Sequence, residues 1–127
     1  MLRLEKIDPG NVRAVCELKL KKAQKHLVAA NYISIIQTYA AIGTGCTTFP
    51  FAVCCDGKPV GFIIIGYNLA SLYDYENYYD WEAPGIYHNN YNLWRLVIDK
   101  RYQNKGYGRA AIKLALDFIR TWPAGKA

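Results

Sequence analysis

The sequence predicts an α/β (α+β) domain, a mixed central sheet flanked by helices, with residues 1–127 forming a single domain. Three observations carry that prediction. Residues 91–122, YNLWRLVIDKRYQNKGYGRAAIKLALDFIRTW, have the pattern of strand, glycine-bearing turn and helix. Asp56-Gly57 lies between two apolar runs, a strong signal for a two-stranded hairpin. Hydrophobic residues make up 52% of the chain, enough for one core and too many for a disordered protein.

Taken in order, residues 2–7, LRLEKI, alternate apolar and polar and predict an edge strand. Asp8-Pro9 marks a helix start, with Asp8 as N-cap and Pro9 at the first helical position. That helix runs to about Lys19 and buries Val12, Val15 and Cys16. Lys19, Lys21, Lys22 and Lys25 form a solvated face. A second helix, residues 23–41, places Val28, Tyr32, Ile35, Ile36 and Tyr39 on one apolar face. Residues 43–50 form a loop, and strands follow at 51–55 and 59–67. Residues 93–99 are apolar on both faces, as in a central strand covered from both sides. Residues 100–105 are a polar, basic connection. In the helix after it, Arg109, Lys113, Asp117 and Arg120 keep helical spacing, and Ala111, Ile112, Leu114, Leu116, Phe118 and Ile119 fill the remaining surface. Only a narrow stripe of that helix should meet water. There are no internal repeats.

The chemistry of the strand–turn–helix stretch is anion binding. The first N–H groups of a helix have no partner within it, and the helix dipole favours negative charge there. Glycine lets a phosphate approach the backbone where a Cβ would block it. Lys100, Arg101, Lys105 and Arg109 cluster at the same point. A Walker loop, GxxxxGK[ST], is absent. Residues 106–111, GYGRAA, match the dinucleotide pattern GxGxxA, but that motif needs an acid roughly 20 positions on, and position 126 is Lys126. A glycine turn without a ligand is the plain alternative.

Gln103-Asn104-Lys105-Gly106-Tyr107-Gly108 resembles the [RQ]xxGx[GA] signature of the GNAT superfamily of acetyl-CoA-dependent N-acetyltransferases. The predicted element order is similar to that of GNAT folds. The words KHLVAANYISIIQTYA, PFAVCCDGKPVGFIIIGY and WRLVIDKRYQNKGYGRAAI together resemble bacterial polyamine (spermine/spermidine or diamine) acetyltransferases. The resemblance implies a GNAT-type acyl-CoA N-acyltransferase fold with acetyl-CoA as co-substrate and no metal. It implies that the pyrophosphate sits on backbone N–H groups of Gln103, Asn104, Lys105, Gly106, Tyr107, Gly108 and Arg109. It implies that the pantetheine arm pairs with Leu96, Val97 and Ile98. A GNAT domain normally continues past this helix with another strand, a helix bearing a tyrosine acid, and a closing hairpin. The fold is therefore expected to be truncated after the phosphate-turn helix. The strand edge so uncovered predicts a homo-oligomer, in the first instance a dimer.

The net charge is +6, and it is unevenly spread. Residues 59–94 contain no Lys or Arg and carry −4, which leaves +10 on the rest. A basic surface suits nucleic acid, membrane or an acidic cofactor. No nucleic-acid motif is visible, and the longest apolar run, residues 60–65 with its flanks, is far too short to span a membrane. Residues 67–92 hold seven tyrosines, five asparagines, one tryptophan and four acids. Asp74, Glu76, Asp80 and Glu82 among these aromatics suit a small cationic amine, although a solvated insert is an equally simple reading. Glu76, Asp80, Glu82 and His88 are the candidate proton-transfer groups; His26 is structural. Trp94, Arg95 and Leu96 stand where some GNAT enzymes carry a glutamate base, so no carboxylate fills that place. The four cysteines show neither disulfide nor metal spacing, which predicts reduced, buried thiols and a cytoplasmic protein.

The combined expectation is acetyl transfer from acetyl-CoA to a primary amine of a polyamine. Alternatives are a GNAT enzyme for another amine (amino acid, antibiotic or protein N-terminus) and a non-catalytic module that binds coenzyme A or a partner.

Overall fold

A computed structural model of the chain describes residues 1–24, 31–70 and 89–125. Within them a four-stranded sheet, in the order β1-β2-β3-β4, is built from Leu2–Lys6 (β1), Thr47–Cys55 (β2), Lys58–Tyr67 (β3) and Tyr91–Ile98 (β4). All three pairings are antiparallel, so the parallel pair of a mixed sheet does not occur among the described residues. Helices Val12–Cys16 (α1) and Asn31–Ala40 (α2) lie on the sheet face that carries Ala52, Cys54, Phe62, Ile64 and Val97. Helix Tyr107–Ile119 (α3) covers the other face, packing Ala111 and Ala115 against Phe51, Val53, Ile63 and Ile65. Two small residues on α3 let its axis come close to the sheet. Phe118 closes the far end edge-on to Phe49 and Phe51.

The local signals worked where the backbone itself sets the conformation. Asp56 (φ 51) and Gly57 (φ 81) are both left-handed, the requirement of the tight turn between β2 and β3. Asp8 is not the N-cap: α1 starts at Val12 with Asn11 before it, and Pro9 lies in the preceding turn, which Asp8 closes as its Oδ1 accepts from the N–H groups of Gly10 (2.8 Å) and Asn11 (3.0 Å). The regular helix is also shorter than predicted. It ends at Cys16 because the N–H of Leu18 tightens back to Val15 O, and that of Lys19 is taken by the Asp99 carboxylate. Cys16 is exposed rather than buried. Cys46 and Cys54 are buried, and all four thiols are free. Burial pushes Cys46 up to about 11; burial and then Glu5 push Cys54 up to about 12.

Four other expectations change. Strand β2 starts at Thr47, not Phe51. Pro50 fits because β1 has ended by then, its last partner pair being Lys6 and Phe51, so the missing N–H leaves no gap in that ladder. On α2 the predicted apolar face is split: Ile35 packs against the core, and the other described residues of that face turn outward. Tyr32, Ile36 and Tyr39 are exposed, Tyr39 by 76%, and the small polar row Asn31, Ser34 and Thr38 is buried. Asn31 repays its burial by donating to Val15 O at 2.8 Å. Val28 and Lys25 lie outside the described residues. Among the described residues strand β4 stands at an edge of the sheet, not its centre. Finally, α3 shows water more than a narrow stripe: Ile112 and Leu116 are exposed, Leu116 by 46%.

Candidate functional site

Strand β4 and the N-terminus of α3 meet at a turn that begins with Asp99. Asp99 is 1% exposed and caps a single 3-10 turn, Lys100–Tyr102. Its Oδ1 accepts from the Arg101 backbone N–H and Nε, both at 2.9 Å. Its Oδ2 accepts from Lys19 N–H (3.0 Å) and from Arg101 Nη2 (3.4 Å). Burial alone would raise this carboxyl, but the hydrogen bonds from Arg101 and Lys19 outweigh it and hold the group at about 2. The chain then passes through Asn104 (φ 64) to Gly106 (φ 81), both left-handed, and enters α3.

The start of α3 is uncapped. The first bond within the helix runs from Ala110 N–H to Gly106 O (3.1 Å), so the N–H groups of Tyr107, Gly108 and Arg109 have no helical partner. Its N-cap, Gly106, has no side chain to cap the helix, and the first turn holds no acid. A Cβ placed on Gly106 would meet nothing within 4 Å, so space is open where the dipole is positive. A Cβ on Gly108 would stand 4.0 Å from Ile98 Cγ1, which sets that side of α3 against β4.

Along β4, Asp99 N–H donates to Val60 O (2.9 Å). The alternation of an antiparallel ladder turns Val97 and Arg95 toward β3 and leaves the backbone groups of Leu96 and Ile98 on the outer edge. Gln103 Nε2 donates to Ile98 O at 2.9 Å, as that orientation requires. Opposite Ile64 and Ile65 stand Arg95 and Leu93, so Trp94 is an extra residue: a β-bulge interrupts the strand two residues before Leu96. Arg95 reaches Gln37 Oε1 (3.3 Å) on α2.

The outer edge of β4, the turn and the α3 terminus enclose a cleft of about 350 Å3. Of the residues predicted from sequence, Leu96, Ile98, Gln103, Asn104, Gly106, Tyr107 and Gly108 line it. Val97 does not; it is buried in the core beneath α1. Lys105 and Arg109 are exposed and do not line the cleft. Sequence reasoning missed Leu20, Gln24 and Tyr102, which complete the wall. Tyr107 turns its hydroxyl to Cys55 Sγ (3.7 Å), and that contact raises its pKa.

An open helix terminus beside a strand edge that is unpaired among the described residues is a site for an extended anionic ligand. The sequence model of the Acetyltransferase (GNAT) family matches residues 15–127. The chain belongs to the GNAT acetyltransferase family. The match takes in α2, three of the four strands, the turn and α3. No curated protein matches the chain. The protein is an acetyl-CoA-dependent N-acetyltransferase, with acetyl-CoA as co-substrate and an amine-type acceptor. The cleft of this GNAT domain has the features such a co-substrate needs: uncapped N–H groups, an open glycine and a strand edge.

The acceptor and proton-transfer candidates Asp74, Glu76, Asp80, Glu82 and His88, and also His26, lie outside the described residues. Among the described residues, no group of three or more His, Cys, Asp or Glu is placed to hold a metal, and no helix is long and apolar enough to cross a membrane.

Proposed function

We propose that this GNAT domain transfers the acetyl group of acetyl-CoA to a primary amine of a polyamine such as spermidine or spermine. The observation that carries the reading is the uncapped N-terminus of α3 opening into the same cleft as the outer edge of β4. In it, the N–H groups from Gln103 to Arg109 hold the pyrophosphate, with Lys105 and Arg109 adding charge from the rim. Leu96 and Ile98 on β4 pair with the pantetheine arm. Ile98 O is already taken by Gln103, so the edge offers Ile98 N–H and both groups of Leu96. A β4 backbone N–H polarises the thioester carbonyl as negative charge develops on its oxygen.

A polyamine amine is protonated near neutral pH and must lose that proton before it attacks. No carboxylate stands on β4 from Trp94 to Leu96. Water and the acids Glu76, Asp80 and Glu82, with His88, take the proton in this reading. The neutral nitrogen then bonds to the acetyl carbon, the carbon–sulfur bond breaks, and the second proton the nitrogen sheds as the amide forms goes to the departing thiolate. The acceptor is supported by charge: residues 59–94 carry −4 and no Lys or Arg, and their tyrosines suit the methylene chain between ammonium groups. The four free thiols support a cytoplasmic location. A homodimer is supported by Leu93 on β4 and by Ile112 and Leu116, one turn apart on the α3 row that starts beside Ile98. In that arrangement the partner takes the Leu93 end of β4 and the co-substrate the Ile98 end.

The test is release of coenzyme A with spermidine, compared with a neutral and an anionic amine, and the acetylated product identified by mass. Preferred acetylation of spermidine is expected. Turnover with another amine and none with spermidine would overturn the acceptor assignment.

A further inference from the structure

Residues 19–24 reach the turn from the other end of the sequence and are fastened to it twice. At one end, Lys100 N–H donates to Lys19 O (2.7 Å) and Lys19 N–H donates to Asp99 Oδ2 (3.0 Å). At the other, Gln24 and Gln103 pair amide to amide. Gln103 Nε2 donates to Gln24 Oε1 (2.9 Å) and to Ile98 O (2.9 Å), which engages both of its hydrogens. Gln24 Nε2 returns a longer bond to Gln103 Oε1 (3.4 Å). Lys21 N–H donates to Gln24 Oε1 (3.2 Å) and so fixes the oxygen that Gln103 needs. Leu20 and Gln24 then face the cleft.

This arrangement has a consequence for the turn. With its side chain held by protein partners, Gln103 has its backbone N–H to offer a ligand. The direction of that N–H, and of the left-handed Asn104 after it, depends on where the Gln103 side chain is anchored. Gln24 supplies an anchor from 79 residues away.

We propose that Gln24 is a positioning residue for acetyl-CoA: through its pair with Gln103 it aims the N–H groups of the turn and holds residues 19–24 as the outer wall of the cleft. The inference rests on the assignment of this cleft to acetyl-CoA. Gln24 acts through Gln103 rather than on the reacting atoms, so its effect falls on co-substrate binding and leaves the chemical step alone.

The test is Gln24→Met, which keeps the side-chain length and removes the amide. One net hydrogen bond predicts about a fivefold rise in KM for acetyl-CoA and in Kd for coenzyme A, with kcat and the KM of the amine nearly unchanged. Gln103→Met should lose at least as much, and the double variant no more than Gln103→Met alone, because the two side chains form one unit. Additive losses, or a fall in kcat at constant KM, would overturn the proposal. A second measurement needs no variant. Coenzyme A should slow amide hydrogen exchange at residues 19–24 of the unaltered protein as well as at 103–109; protection confined to 103–109 would also overturn it. If the unaltered protein binds no coenzyme A, the cleft assignment fails and this inference with it. If it binds and Gln24→Met binds equally well, this inference alone fails.

Discussion

Gly106→Val separates backbone strain from ligand contact, because the fold supplies a matched control. Gly106 has φ +81, and a Cβ there meets nothing within 4 Å. Gly43, between α2 and β2 and outside the cleft, has φ +87 and the same empty surroundings. Valine at either position causes no close contact at its Cβ, so the cost to folding is the left-handed conformation, about 1–2 kcal/mol. For a chain of this size that lowers Tm by roughly 3–10 °C. Both variants should fold and melt at similar temperatures. They should part on coenzyme A. At Gly106 the branched side chain fills the space next to the free N–H groups of α3, where a phosphate oxygen has to come. Affinity should fall more than about tenfold, or at least ~1.4 kcal/mol. Gly43→Val should bind as the unaltered protein does. The assay is calorimetric titration of coenzyme A well below both melting temperatures, with thermal denaturation alongside. Unchanged affinity in Gly106→Val, or equal loss in Gly43→Val, would refute the placement of the phosphate site.

Two further outcomes follow from charge. Asp99 is held at about 2, below its ordinary 3.8. A lowered carboxyl stabilises the fold above its unfolded pKa and loses that contribution as pH falls through the folded value, so roughly 2 kcal/mol should disappear between about pH 4 and pH 2. Asp99→Asn should be less stable at neutral pH and should show a flatter fall in Tm over that interval; parallel curves would remove the carboxylate from the account. Neutralising Asp74, Glu76, Asp80 and Glu82 together should raise KM for spermidine and leave that for acetyl-CoA nearly unchanged, and equal effects on both would count against an acceptor role for these acids.

What could be read in the sequence was local. Asp56-Gly57 and Gly106 announce their left-handed turns by residue type, and Asp8-Pro9 announces the turn that leads into α1. The long-range features left no such mark. Nothing near Asp99 in sequence says that its carboxylate closes on Lys19, 80 positions away. Nothing near Gln24 says that it meets Gln103. On α2 burial goes to Asn31, Ser34 and Thr38 beside Ile35, whereas a count of apolar residues turns the face toward Tyr32, Ile36 and Tyr39. The bulge at Trp94 is set by the register with β3, and sequence periodicity along one strand cannot show it. The turn residues are legible because glycine spacing and an uncapped helix start are written in adjacent positions. Val97 reads like its neighbours because a strand motif does not say which alternate residues face outward.

The most direct test of the central claim is a titration of acetyl-CoA into the isotope-labelled protein, followed by the backbone amide signals. The largest saturable shifts are expected at Gln103 to Arg109 and at Leu96 and Ile98, with little change along β1. Shifts that never saturate, or that gather away from the β4 edge and the start of α3, would contradict it.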